Sequence, residues 1–167
     1  MAIDVVLFEL NERYKGITKS LGFQKIYSNN SPEFKKLRIV NGADDETNRK
    51  AVENPNNDIL LNPHANCFKD FMHSRNCGLN HVLCRLAAEN DVAIGFTLDR
   101  MYEPKDMARV KLAVKLCRKY KNKIVVFSFA RNVYEMKSRN DIIAFLNVIG
   151  MDSKQANNAM ELAGKMI

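Results

Sequence analysis

The 167-residue sequence is poor in the side chains that build metal and redox centres. It has no tryptophan, three histidines and four cysteines, and the cysteines are separated by nine, six and thirty-two residues. That spacing matches neither a CxxC zinc pair nor the disulfide framework of a small secreted protein. We therefore expect free thiols in a reducing compartment, with Cys84 and Cys117 packing as small apolar side chains inside helices.

Long hydrophobic runs are also missing. No stretch approaches the ~18 apolar residues that a membrane helix requires. The first ten residues include Asp4 and Glu9 and lack the basic start of a signal peptide. These absences predict a soluble, cytoplasmic protein without a membrane partner.

Motifs of common enzyme classes are absent as well. No serine lies in a GxSxG turn, and no glycine-rich phosphate loop is present. His64 follows a predicted strand, where barrel enzymes place catalytic groups, but a metallohydrolase needs several His, Asp or Glu ligands from different strand ends. The first predicted strand offers only Asp4 and Glu9. We predict no catalytic residue and no metal ligand, with a metal-dependent phosphoesterase left open as the alternative.

Positive charge is in excess. The 26 lysines and arginines against 19 acidic residues give a net charge of +7, which favours a polyanion such as nucleic acid as partner, although a solvated basic surface gives the same count. Several cations fall near the ends of predicted strands and in loops, where a barrel gathers its rim: Arg49, Lys50, Arg75, Arg100, Arg131, Lys137 and Arg139. Such a set could neutralise phosphates, so we expect contact with the backbone and shape of RNA.

Short apolar runs alternate with helical patterns along the chain. The predicted strands are 3–10, 23–28, 37–40, 58–61, 92–98 and 123–130, and the main predicted helices are 11–21, 44–53, 79–90, 105–121, 140–149 and 153–166. This alternation indicates an α/β fold with parallel strands. Because six strands are found where a closed barrel has eight, we expect one irregular or incomplete (β/α) barrel domain spanning residues 1–167.

Local signals support several helix boundaries. Asn11 is a plausible N-cap of the first helix, and Gly22 is its expected stop. Pro104 can open the long helix, on which Lys111, Lys115 and Arg118 form an outer basic row. The last helix is opened by Asp152, with Gln155 three residues later in the order of a capping box.

Three segments carry a resemblance to a known family. They are DILLNP at 58–63, GLNHVL at 78–83, which opens a helix, and NDVAIGF at 90–96. Their order and spacing resemble the signature stretch of ribonuclease P protein component 3, the archaeal counterpart of the eukaryotic 30-kilodalton subunit. Residues 124–130, 139–142 and 148–151 are similar to the family's last strand, the following helix and the turn before the final helix.

The resemblance implies a barrel-like fold related to the polymerase and histidinol phosphatase superfamily, without the metal-binding histidines of that superfamily. It implies a noncatalytic RNA-binding subunit that helps a catalytic RNA remove the 5′ leader of precursor tRNA. The implied partners are ribonuclease P RNA, precursor tRNA and a small RNA-recognition-like subunit, joined as a heterodimer or heterotetramer. No cofactor is implied in the protein, and magnesium is expected to act with the catalytic RNA.

The resemblance also implies sites of RNA contact. It carries over to His81, Arg75, Lys50 and Arg49, and more loosely to Lys137 and Arg139. Each has a structural alternative. His81, in the first turn of a predicted helix, could equally cap that helix or pack against it.

Overall fold

Short strands alternate with helices in the computed structural model, which describes residues 2–10, 14–67 and 69–167. The strands are β1 (Ile3–Val6), β2 (Lys25–Ser28), β3 (Ile39–Asn41), β4 (Ile59–Leu61), β5 (Ala93–Thr97) and β6 (Ile124–Phe127). The helices are α1 (Lys15–Ser20), α2 (Pro32–Lys35), α3 (Asp45–Glu53), α4 (His81–Glu89), α5 (Leu98–Met101), α6 (Pro104–Tyr120), α7 (Arg139–Ile149) and α8 (Ser153–Met166). A 3-10 turn at Val133–Glu135 precedes α7.

Every paired strand runs parallel to its neighbour. β1 pairs with β2, and β3, β4, β5 and β6 form a second sheet in chain order. The two sheets meet where the Phe129 N–H donates to the Val5 carbonyl at 3.0 Å and the Leu7 N–H donates to the Ala130 carbonyl at 2.8 Å. The strands therefore form one open arc, in the order β2, β1, β6, β5, β4, β3. The prediction of an α/β, barrel-like fold with an incomplete barrel is confirmed for the described residues.

The two faces of the arc bury two separate apolar clusters. The interior cluster takes alternate strand residues and is filled by Phe34 of α2 and Ala163 of α8. Its strand members are Ile3, Val5, Ile59, Leu61, Ala93, Val125 and Phe127. The residues between them, such as Leu60 and Ile94, join the larger cluster that includes buried residues of the helices. Strands buried on both faces explain why the sequence shows continuous apolar runs rather than alternation.

Gly95 occupies a point of close approach inside the arc. A Cβ atom there would lie 2.8 Å from side-chain atoms of both Ile59 and Leu61 on the adjacent strand β4. Those two residues fill the interior beside it, so glycine lets β5 pack against them without displacing either.

A buried asparagine fastens α3 to the loop after β4. The Asn48 side-chain NH₂ donates to the carbonyls of Pro63 at 2.9 Å and Gly78 at 3.0 Å, and its oxygen accepts from the Ala43 N–H at 3.1 Å. Gly78 has a φ of 70°, and a Cβ atom there would lie 1.8 Å from the Pro63 carbonyl oxygen. Only glycine fits this crossing of two chain segments.

Most predicted elements exist, with shorter strands than predicted. The predicted strands 3–10 and 123–130 end at Val6 and Phe127 as regular strands, and beyond them only single hydrogen bonds such as that from the Leu7 N–H to the Ala130 carbonyl continue the pairing. The Asp152 carboxylate caps α8 as predicted, by accepting from the Gln155 N–H at 2.7 Å. The predicted capping box is only half formed, because the Gln155 side-chain oxygen is buried without a hydrogen-bond partner. The proposed Asn11 cap lies outside the described residues. The short helix α5 was not predicted, because its four residues are too few to show helical periodicity.

The predictions that the cysteines are free and that Cys84 and Cys117 pack in the core are confirmed, while the reducing compartment stays a prediction. All four cysteines are free and buried, and Cys84 and Cys117 lie in the large helix-covered cluster. In the described part of the chain, no helix has both the length and the apolar character needed to span a bilayer.

Candidate nucleic-acid interface

The carboxyl ends of β4 and β5 are locked together by a reciprocal pair of side-chain contacts. The Asn62 side-chain NH₂ donates to the Thr97 hydroxyl at 2.8 Å, and the Thr97 N–H donates to the Asn62 side-chain oxygen at 3.0 Å. Asn62 adopts a left-handed backbone with a φ of 50°, which asparagine tolerates better than most residues. The polar residues at this edge therefore brace the strands that carry the rim loops.

Asp4 has a similar bracing role between β1 and β6. Its Oδ1 accepts from the N–H of Ser128 at 2.8 Å and from that of Val5 at 2.8 Å, while the Ser128 hydroxyl donates to the Val5 carbonyl at 3.3 Å. The carboxyl group is fully buried, and burial raises its pKa to about 6, against a smaller lowering by the bonds to Ser128 and Val5. Asp4 thus holds the seam between the two sheets.

His64 lies inside the protein rather than on the rim. It is fully buried, its ring centroid is 5.9 Å from that of Phe96, and neither ring nitrogen has a hydrogen-bond partner. Burial lowers the pKa of His64 to about 4, with a smaller opposing effect of Asp106. The most suitable candidate for a catalytic base is therefore a neutral side chain closed off from solvent.

Arg131 and Lys137 do come together at the carboxyl end of β6. They line a cavity of about 290 Å³, the rim cavity, with Asp99 and Glu135. An Arg131 guanidinium nitrogen is 3.9 Å from the Asp99 carboxylate, and the Arg131 N–H donates to the Glu135 carboxylate at 2.9 Å. Asp99 therefore offsets part of the charge of Arg131, whereas Glu135 accepts from the main chain of Arg131 and not from its guanidinium. Beside them the Tyr134 side chain projects into solvent, with 94% of its surface exposed.

The basic residues of α3 are also compensated. Arg49 pairs with Glu53 at 2.7 Å and Lys50 pairs with Glu46 at 2.5 Å, each one helical turn away. A cavity of about 450 Å³ near the start of this helix is lined by Asp44, Asp45 and Glu46 with Lys69 as its one cation. The surroundings of Arg49 and Lys50 are therefore acidic, in line with the acidic residues at the start of this helix.

Arg75 contacts an acidic residue of its own loop, and Arg139 contacts one from α8. Arg75 lies 3.8 Å from Asp70, which also binds the buried Arg109 at 2.9 Å. Arg139 donates to the Asn157 side-chain oxygen at 2.7 Å and lies 3.5 Å from Glu161, so it joins α7 to α8. The side chain of Arg139 is only 24% exposed. Its position indicates a structural role for this predicted RNA contact.

His81 occupies the first position of α4 and is exposed. The helix is capped by Asn80, whose side-chain oxygen accepts from the N–H groups of Val82 and Leu83 at 2.9 and 3.0 Å. The two structural alternatives for His81, capping and packing, are therefore not the roles it takes. α3 and α4 pack against each other, but the predicted cations do not converge on one surface: Arg131 and Lys137 share a cavity, while Arg139 binds α8.

A more positive concave surface lies between α6 and α8. A cavity of about 640 Å³ and another of about 420 Å³ share Arg118 in their walls. We call these two adjoining cavities together the α6–α8 groove. Its walls contain eight cations and one carboxylate, Asp152; the cations are Lys111, Lys115, Arg118, Lys119, Lys121, Lys123, Lys154 and Lys165. The sequence showed the row on α6, but not that α8 and the start of β6 complete a groove.

The parallel arc, its braced strand ends and its basic grooves define a barrel-like α/β protein with an electropositive surface. Among the described residues, no three His, Cys, Asp or Glu side chains are placed to hold a metal ion. The chain belongs to the RNase P subunit p30 family, whose model matches residues 18–167.

Curated relatives agree with this assignment. Ribonuclease P protein component 3 of Methanosarcina mazei is 34% identical over 135 residues, covering 77% of this chain and 53% of the relative. The protein of the same description from Methanococcus vannielii is 33% identical over 159 residues, covering 86% of this chain and 65% of the relative. The chain therefore spans between about half and two thirds of the length of these relatives.

A solved structure supports the fold. One chain of a cryo-electron microscopy structure of archaeal ribonuclease P with mature tRNA superposes with a TM-score of 0.67 at 24% sequence identity. The match covers 98% of this chain and 79% of that chain. The predicted family resemblance and the predicted fold class are both confirmed.

Proposed function

We propose that this chain acts as a noncatalytic, RNA-binding protein subunit of ribonuclease P. In this role it assists a catalytic RNA in removing the 5′ leader of precursor tRNA. The observation that carries the proposal is the family match over residues 18–167. The net charge of +7 and the basic concave surface are in keeping with an RNA partner.

The proposal of a noncatalytic role is supported by what the best acid–base candidates do in the fold. Asp4 bonds to the main chain across the β1–β6 seam, and His64 is buried against Phe96. Neither side chain is open to a substrate. A metal-dependent phosphoesterase is not favoured, because such an enzyme needs several ligands around one point, and no such group occurs in the described part of the chain.

For RNA contact we propose the exposed cations of the rim loops and of α3 and α4, namely Arg49, Lys50, Arg75, His81, Arg131 and Lys137. Arg139 is the weakest member of the predicted set because its side chain is engaged with α8. Surface ion pairs such as Lys50 with Glu46 contribute little to stability. Phosphate oxygens can therefore replace the carboxylate partner at small cost.

We further propose that the chain pairs with a small RNA-recognition-like subunit, as a heterodimer or heterotetramer, and acts together with ribonuclease P RNA and precursor tRNA. No cofactor is assigned to the protein itself. Magnesium would act with the catalytic RNA, since the proposed subunit contributes binding rather than chemistry.

The test is reconstituted processing of precursor tRNA at moderate magnesium concentration. The reactions contain the chain alone, the catalytic RNA alone, and the RNA with the partner subunit, with and without the chain. Stimulated cleavage at the mature 5′ end when RNA, partner and chain are combined is the expected result. Cleavage by the chain alone, or no effect of adding it, would overturn the proposal.

A double variant tests the proposed contacts of α3 and the loop after β4. Lys50→Ala with Arg75→Ala should weaken binding to ribonuclease P RNA without unfolding the protein, since both side chains are more than half exposed. Lys35→Ala with Lys36→Ala removes the same charge from another exposed segment and serves as the control. Equal affinities for the two double variants would remove Lys50 and Arg75 from the interface.

A further inference from the structure

We propose that the α6–α8 groove is a second RNA-binding surface, which holds the phosphodiester backbone of structured RNA without reading its bases. This inference rests on the proposed function and extends it to residues outside the predicted set. The groove is walled by the carboxyl-terminal half of α6, the segment Lys121–Ile124 that leads into β6, and α8.

The geometry of α6 produces one wall of the groove. Lys111, Lys115 and Arg118 follow one another at helical spacing and therefore lie on one face, with about 5.4 Å of rise per turn. The neighbouring face of α6, one residue or about 100° away around the helix, buries Val110, Val114 and Cys117 in the apolar cluster. Core packing therefore fixes the rotation of α6 and places the basic row beside the buried face.

Packing of α7 and α8 adds the second wall. The Arg118 guanidinium donates to the Gly150 carbonyl at 2.8 Å, which fixes Arg118 at the junction of the two cavities. Gly150 ends α7 with a φ of 111°, and the turn after it leads to α8, which contributes Lys154 and Lys165. Residues distant in sequence are therefore held as one cationic surface.

The charge of this groove is largely uncompensated. Of its eight cations, Lys123 is the one that forms an ion pair within the described residues, with Asp91 at 2.6 Å. The Asp152 carboxylate accepts from the Gln155 N–H to cap α8. By contrast, Arg49, Lys50, Arg75, Arg131 and Arg139 each lie within 4.0 Å of a carboxylate. Like charges crowded together raise the energy of the free protein and are relieved by a polyanion.

The composition of the groove favours a phosphate backbone over other partners. Seven of the eight cations are lysines, which bind phosphate as point charges without the fixed fork of arginine. No aromatic side chain lines either cavity, so stacking of unpaired bases has no platform there. Contacts of this kind position a nucleic acid but carry no sequence information.

The groove and the rim cavity lie at opposite ends of the same strand. Lys121 and Lys123 precede β6, whereas Arg131 follows it. An RNA bound in the groove therefore leaves the carboxyl edge of the arc available for other contacts. The two surfaces can be tested independently because they share no residue.

The experiment compares two triple variants of the full chain. Lys115→Gln, Lys119→Gln and Lys154→Gln remove three charges from the groove, while Lys19→Gln, Lys35→Gln and Lys36→Gln remove three charges from other exposed positions. Affinity for a fluorescein-labelled RNA duplex, and for a second duplex of shuffled sequence, is measured from low to moderate salt. Circular dichroism and the thermal midpoint confirm that both variants fold.

The groove variant should bind both duplexes roughly 10-fold to 100-fold more weakly at low salt, and its slope of log affinity against log salt should flatten by about 2 to 3. The control variant should lose much less affinity and keep a slope near that of the unaltered chain. Equal losses in the two variants would show a diffuse charge effect and overturn the inference. A groove variant with unchanged RNA affinity that no longer binds the protein partner would also overturn it, in favour of an acidic protein surface.

The precursor-tRNA assay separates this inference from the proposed function. If the unaltered chain stimulates cleavage and the groove variant binds duplex normally, the groove inference alone fails. If the chain does not stimulate cleavage but its duplex affinity depends on the groove lysines, the proposed function fails and the groove remains an RNA site.

Discussion

The Asp4 carboxylate accepts a hydrogen bond from the Ser128 N–H at 2.8 Å, across the seam where the two sheets of the arc meet. Its other oxygen, Oδ2, is buried without a partner. Burial raises the pKa of Asp4 from 3.8 to about 6, so the folded protein holds this proton more tightly than the unfolded chain. Asp4 therefore stabilises the fold fully below about pH 4, and this contribution is lost as pH rises through about 6.

We expect Asp4→Asn to remove this pH dependence, because asparagine keeps an oxygen acceptor for Ser128 but does not ionise. A shift of about two pKa units corresponds to about 3 kcal/mol of unfolding free energy between pH 4 and pH 7. Urea denaturation at several pH values, with Glu89→Gln at an exposed position as the control, measures the difference in unfolding free energy between variant and unaltered chain. If the difference in unfolding free energy between Asp4→Asn and the unaltered chain stays constant with pH, the pKa of Asp4 is not raised by folding.

His64 should produce the opposite pH dependence over a similar range. Burial lowers its pKa from 6.5 to about 4, so its stabilising contribution is present above about pH 6.5 and is lost as pH falls through about 4. His64→Leu should keep the apolar contact with Phe96. It should also abolish the decrease of about 3 kcal/mol in unfolding free energy that His64 causes as the pH falls. His73→Leu, at an exposed position, is the control. The prediction fails if both variants lose stability in acid as steeply as the unaltered chain.

Gly78→Ala should destabilise the fold by about 3 kcal/mol or more, because it combines a φ of 70° with a Cβ position 1.8 Å from the Pro63 carbonyl oxygen. Gly16→Ala is the matched control, since a Cβ atom there meets nothing within 4 Å and its position in α1 favours alanine by about 0.5 to 1 kcal/mol. Equilibrium urea denaturation compares the two. Similar urea midpoints for Gly78→Ala and Gly16→Ala would refute the close approach of Gly78 to Pro63.

Arg139→Ala should cost about 1 to 2 kcal/mol of stability, because its partly buried guanidinium binds Asn157 and lies beside Glu161. Arg131→Ala should cost less than about 0.5 kcal/mol, since its ion pair with Asp99 is long and its side chain is 69% exposed. Thermal unfolding of the two variants without RNA tests the contrast. If Arg139→Ala is as stable as Arg131→Ala, the contacts of Arg139 with α8 do not stabilise the fold. The structural role assigned to Arg139 is then wrong, and its side chain is available for RNA.

Local sequence signals were sufficient for most of the fold. Buried parallel strands appear as apolar runs, and residues such as Asp152 cap helices through neighbours three positions away. The pairing of β1 with β6 was not predictable, since the Asp4–Ser128 contact joins residues 124 positions apart. The predicted strands were too long because apolar residues such as Phe129 continue beyond the last paired residue and pack in the interior.

The candidate site was less predictable than the fold. Position near a strand end identified Arg131 and Lys137 as neighbours, and they share the rim cavity. The carboxylates that offset the predicted cations include Asp99 and Glu161, which approach Arg131 and Arg139 only through tertiary packing. The same packing assembles the α6–α8 groove from helices separated by more than thirty residues.

The burial of all four thiols makes the protein convenient for site-directed chemistry. Alkylating reagents attack an accessible thiolate; burial raises the pKa of Cys67 to about 11 and also raises that of Cys77, and Cys84 and Cys117 are closed off from solvent. Because all four native thiols are buried, Lys154→Cys at an exposed position would give a thiol that reacts far faster than they do under brief labelling. A photoactivatable group attached there could capture whatever lies in the groove and, by sequencing the adduct, identify the nucleotides that approach α8.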